Sequence, residues 1–125
     1  MFPGRRSPSV FLCVAAIAAA LMVNSAVAHA VLLESTPGLK SSVAGPDVPL
    51  KLRFNVRIDP IRSRLTLVAP DGSSQTLEIS ATSPPDTISA EAKGLHPGEY
   101  RLRWQVLASD GHITRGEIPF TVVHS

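Results

Sequence analysis

Apolar and polar residues alternate in several short stretches of the chain. Val48, Leu50, Leu52 and Phe54 are interleaved with Pro49, Lys51, Arg53 and Asn55, a period of two that predicts a strand buried on one face. Leu65 and Leu67 repeat the pattern between Arg64, Thr66 and Val68. Pro70, Asp71 and Gly72 then turn the chain, and Thr76 to Ile79 form the returning arm of a hairpin. Ala30 to Leu33 is a short apolar run able to enter a strand, closed by the Pro-Gly turn of Thr36 to Gly38. Ser80 to Asp86, with Pro84 and Pro85, reads as a loop, and Ile88 to Ala92 as a weaker strand.

The last third is the clearest. Tyr100, Leu102, Trp104 and Val106 point one way and Arg101, Arg103 and Gln105 the other, while Ile118, Phe120 and Val122 supply a closing strand. Leu95, Pro97, Gly98 and Tyr100 have the form of a tyrosine corner, in which the phenol bonds back to the backbone and fixes a crossover. No stretch after residue 28 has an apolar period of 3.6, and turn signals recur every ten or so residues. The pattern predicts an all-β fold, a small Greek-key β-sandwich of about seven strands.

One segment breaks the alternation. Val10 to Val23 is almost wholly apolar, follows Arg5 and Arg6, and is followed by Ala26-Val27-Ala28, the small-x-small pattern cut by signal peptidase. As a membrane anchor the run is shorter than the ~20 residues a spanning helix needs, and Asn24 and Ser25 follow at once. The paired arginines suffice for ordinary secretion, and Ser-Pro-Ser after them argues against a twin-arginine signal. Bulky Phe11 and Leu12 argue against lipid modification at Cys13. Residues 1–28 are thus expected to be a cleaved signal peptide and 29–125 the mature domain, exported to a bacterial periplasm.

Removing 28 of 125 residues leaves 97, one small domain. The formal charge of +2 comes from Arg5 and Arg6; the remaining ten basic and ten acidic residues cancel. That balance supports neither nucleic-acid binding nor attachment to an anionic membrane. The only cysteine is Cys13 and the only methionines are Met1 and Met22, all before the cut. The mature domain therefore has no disulfide to staple it and no soft metal ligand.

Cleavage after Ala28 makes His29 the first residue, with a free α-amino group that can close a six-membered chelate ring with its own Nδ1. Ser109-Asp110-Gly111-His112 lies between the two final strands. On extended backbone, Asp110 and His112 leave the same face, and Gly111 lets the chain bend or a ligand approach. Joined to His29, they make three nitrogens and one oxygen, a tetragonal set preferred by Cu(II). The amine, with an ordinary pKa of about 7.7–8.0, must lose its proton to bind, so affinity should fall in mild acid. Taken alone, Asp-x-His is more often an Asx-type turn with an exposed histidine. His96, in its turn, and His124, near the chain end, read as solvent-facing, and Trp104 is in phase with the core.

These features resemble the CopC family of periplasmic copper-binding proteins. The matching stretches are HAVLLESTPG from His29, PLKLRF in the early strand and LHPGEYRLRWQVLASDGHITRGEIPFTV near the end. The resemblance implies a cupredoxin-like Greek-key sandwich holding one Cu(II) per chain. Its ligands would be the amine and imidazole of His29, the carboxylate of Asp110 and the imidazole of His112. It also implies an inner-membrane copper importer as partner. Some relatives hold Cu(I) through a methionine-rich segment, which this mature chain lacks, so a Cu(II)-only member is expected. Relatives tend to place an acid just after the early strand's phenylalanine; here Asn55 and Val56 stand there, with Asp59 as a possible substitute.

Three functions compete. A carrier would sequester or deliver Cu(II) in copper resistance or homeostasis, holding it while oxidised and loosely once reduced. A copper-dependent oxidative enzyme with an N-terminal histidine chelate would need an open coordination position and an aromatic binding surface. The mature aromatics, Phe54, Tyr100, Trp104 and Phe120, are all in core phase. A secreted interaction sandwich without metal would bind copper no better than any amino-terminal peptide.

Overall fold

In a computed structural model of the chain, the described residues are 30–125. The expected leader and His29 lie outside them. Eight strands form two sheets: β1 (Leu32–Thr36), β2 (Ser42–Ala44), β3 (Val48–Phe54), β4 (Ile58–Val68), β5 (Ser74–Leu77), β6 (Thr87–Ala92), β7 (Gly98–Ala108) and β8 (Ile113–Val123). A three-stranded sheet runs β1-β3-β6 and packs on a five-stranded sheet ordered β2-β8-β7-β4-β5. Only β4–β5 and β7–β8 are consecutive partners within one sheet; every other connection crosses between sheets.

The core follows the alternation. Val48, Leu50, Leu52 and Phe54 of β3 face Leu65 and Leu67 of β4, Leu102, Trp104 and Val106 of β7, and Ile118, Phe120 and Val122 of β8, all buried. The tyrosine corner is present: Tyr100 Oη donates to the His96 carbonyl at 2.8 Å while its ring stacks on Phe120. His96 is exposed as expected. Trp104 meets Phe54 edge-on at 5.2 Å, joining the two sheets near one end. Its indole also lies across Gly116, its β8 partner, where any Cβ would collide with the ring.

Three elements differ from expectation. β5 covers Ser74–Leu77, two residues earlier than the expected arm of Thr76 to Ile79. β2 carries no readable alternation; it runs parallel to the end of β8, pairing Ser42–Ala44 with Thr121–Val123. β4 starts at Ile58, well before its apolar pattern begins, because a bulge between Asp59 and Arg64 interrupts its pairing with β7.

Candidate metal centre

The β7–β8 hairpin ends in the turn that carries Asp110 and His112. Gly111 N–H donates to the Ala108 carbonyl at 2.9 Å, and Ala108 N–H to the His112 carbonyl at 2.9 Å. Gly111 takes φ +90°, a left-handed value that side chains resist, which is why glycine serves at the bend. Asp110 and His112 are therefore not on extended backbone, as the spacing alone predicts. The turn brings them together instead: Asp110 Oδ1 accepts the His112 backbone N–H at 3.1 Å and stands 3.3 Å from His112 Nδ1. This is an Asx turn, and both side chains are exposed.

Donation from the His112 backbone N–H is the main cause holding the Asp110 carboxyl below its ordinary range, with the nearby imidazole adding to it. The shift favours the ionised carboxylate. A carboxylate against Nδ1 also fixes the ring and favours Nε2 as the nitrogen offered outward. An anionic oxygen and an imidazole on one rigid turn are hard and borderline donors, suited to Cu(II) rather than Cu(I).

The same end of the sandwich receives the start of the described chain. Ala30 is buried in the core. Val31 is held by one residue through two bonds: its N–H donates to Asn55 Oδ1 at 2.7 Å, and its carbonyl accepts from Asn55 N–H at 3.1 Å. Two residues on, the Arg57 carbonyl accepts the Ser109 N–H at 3.0 Å. Residues 55–57 therefore tie Val31, two residues past His29, to the turn bearing Asp110 and His112.

Among the described residues, no three His, Cys, Asp or Glu side chains come together as a metal group. Asp59 accordingly does not join Asp110 and His112. Its Oδ1 instead accepts the N–H groups of Ile61 and Arg62 within the β4 bulge. Asn55 is the residue that sequence reasoning undervalued. In the sequence it stands out only as the lack of an acid, whereas in the fold its side-chain oxygen accepts the Val31 N–H.

A family model described as the CopC domain matches residues 32–123. The chain belongs to the CopC family. Copper resistance protein C of Xanthomonas campestris pv. juglandis is 31% identical over 122 residues, covering 91% of this chain and 95% of that protein. Copper resistance protein C of Escherichia coli is 29% identical over 106 residues, covering 78% of this chain and 84% of that one. Among solved structures, CopC from Methylosinus trichosporium OB3b superposes with a TM-score of 0.68 at 30% identity, covering 75% of this chain and 93% of its own. PcoC from Escherichia coli, described as methionine-rich, gives 0.64 at 27% identity, covering 77% of this chain and 100% of its own. The two-sheet sandwich is thus the CopC fold. Unlike PcoC as described, this chain has no methionine after Met22. No helix of the described residues is long and apolar enough to cross a membrane.

Proposed function

We propose that this CopC-family protein is a periplasmic Cu(II) carrier, not an enzyme. After removal of residues 1–28 it would bind one Cu(II) through the amine and imidazole of His29 with Asp110 and His112. The observation that carries this reading is the tie through residues 55–57, which anchors Val31 at the end of the sandwich where Asp110 and His112 meet. The copper resistance names of its relatives support the choice of metal.

The donor set has a functional consequence. With no thiolate or thioether in residues 29–125, the site would hold Cu(II) tightly and lose it on reduction. Release to an acceptor, an inner-membrane importer being the partner expected for the family, would follow reduction or competition by the acceptor's ligands. A Cu(II) titration followed by EPR, on protein from the periplasm with its amino terminus checked by intact mass, tests the reading. One tight equivalent with a tetragonal, nitrogen-rich spectrum, lost when a residue is added before His29, is the expected result. Weak, heterogeneous binding by protein starting at His29 would sink it.

A further inference from the structure

The outward face of the five-stranded sheet is strongly basic although residues 29–125 carry no net formal charge. Its side chains form three cross-strand rows: Val68–Arg101–Pro119, Thr66–Arg103–Glu117 and Arg64–Gln105–Arg115. Lys40 extends the first row, since its N–H donates to the Pro119 carbonyl at 2.7 Å. Five cations, Lys40, Arg64, Arg101, Arg103 and Arg115, thus share this part of the face with two acids, Glu99 and Glu117, while further along the face Asp59 is offset by Arg62 at 3.9 Å. That is an excess of +3, so the rest of the mature chain carries −3.

Little of this charge is neutralised internally. Glu117 serves both Arg101, at 3.5 Å, and Arg103, at 3.2 Å. Arg115 donates to the neutral Gln105 at 2.9 Å. Arg64 has no ion-pair partner among the described residues. The opposite sheet differs: Arg53 lies opposite Glu34 and pairs with it at 2.6 Å, and Glu91 pairs with Lys93 at 3.5 Å. Two shallow hollows open on the basic face. One of about 450 Å³ lies among Arg64, Arg103 and Arg115 over Gly116. The other, about 690 Å³, lies between Lys40 and Arg101.

We propose that this face docks an acidic protein surface. Four of the five cations are arginines, whose planar forks take carboxylates two bonds at a time. Glu99 and Glu117 within the patch suit a mixed, sequence-specific protein surface better than a uniformly anionic bilayer, and no aromatic side chain among the described residues stands outward to enter lipid. Toward the hairpin the next row is Asp59–Leu107–Ile113, with Ile113 half exposed, and beyond it lies the turn of Asp110 and His112. A partner on the arginine rows would therefore reach the turn. Resting on the carrier reading, the partner is the protein that exchanges copper with this one.

The test uses copper-free mature protein and a hexaglutamate peptide, followed by amide chemical shifts. Shifts confined to residues 64–66, 101–105 and 113–117 are expected, weakening as salt is raised. Arg64→Gln with Arg115→Gln should lower affinity at least about threefold, and Lys51→Gln with Arg53→Gln on the other sheet should not. Equal effects of the two double variants, or shifts spread over both sheets, would overturn the proposal. So would tighter binding to phosphatidylglycerol vesicles, lost in the first double variant, which would assign the face to a membrane. Copper affinity, titrated separately, should be unchanged in both double variants. Peptide binding without tight copper binding would remove the carrier reading and leave the docking face standing.

Discussion

Asn55→Ala isolates the anchor between Val31 and the turn that carries Asp110 and His112. It removes the acceptor of the 2.7 Å bond from Val31 N–H and leaves the 3.1 Å backbone bond to the Val31 carbonyl. A net hydrogen bond contributes about 0.5–1.5 kcal/mol. Val31 is 52% exposed, so water can replace the lost acceptor and no buried donor is stranded, which favours the lower half of that range. If only the anchored arrangement binds copper and it is the minor one in copper-free protein, apparent affinity falls with the anchored fraction, by about two- to fivefold and at most about thirteenfold. Asn55→Asp keeps an acceptor and gives it charge, so it should retain or raise affinity. The assay is a Cu(II) titration against a competing chelator, paired with hydrogen exchange at the Val31 amide in copper-free protein. Faster Val31 exchange in Asn55→Ala with unchanged copper affinity would refute the coupling. Unchanged exchange would refute the anchor itself.

Gly116→Ala places a methyl group in the Trp104 ring, a rigid side chain wedged against Phe54, and should cost about 1–3 kcal/mol. Thermal unfolding followed by the fluorescence of this sole tryptophan measures it, and the loss should shrink in a Trp104→Leu background. Asp110→Asn keeps an oxygen for the His112 N–H but loses the anion, so Cu(II) affinity should fall by roughly tenfold or more. Because the Asp110 pKa is lowered, its ionised form is favoured by folding, and that contribution is lost only as pH drops through the depressed value, below ordinary carboxylates. On the proposed ligand set, copper loss in mild acid would belong to protons competing for the nitrogen donors, and titrations of Asp110→Asn across roughly pH 5–8 should keep the wild-type slope. The Thr114 hydroxyl is buried without a hydrogen-bond partner among the described residues, so Thr114→Val should stabilise the fold by about 1 kcal/mol in urea unfolding.

Where burial dictates structure, the sequence was readable. β3 coincides with the alternation from Val48 to Phe54, and the inward residues of β7 and β8 are those expected from a period of two. The tyrosine corner was readable because Tyr100 and the Leu-x-Pro-Gly turn are adjacent in sequence. β2 was not, since three residues cannot display a period and its place is set by backbone bonds to β8. Asp110 and His112 could be picked out as chemistry, but their proximity comes from a turn closed by backbone bonds rather than from strand pleating. Asn55 was opaque for a similar reason: its side chain acts on a backbone group 24 residues earlier.

On the proposed ligand set, the two halves of the metal centre come into being differently. Asp110 and His112 are brought together by folding alone, through a hairpin whose Asx turn needs no metal. The other half requires a covalent event, because an internal His29 has an amide where the chelate needs an amine. A precursor that still carries residues 1–28 would have a carboxylate and one or two imidazoles but no amino-terminal chelate, and would bind Cu(II) weakly. Tight binding would then begin only where the leader is removed, on the far side of the membrane. Export itself would act as the switch, and no separate device would be needed to keep the protein from taking copper before it leaves the cytoplasm.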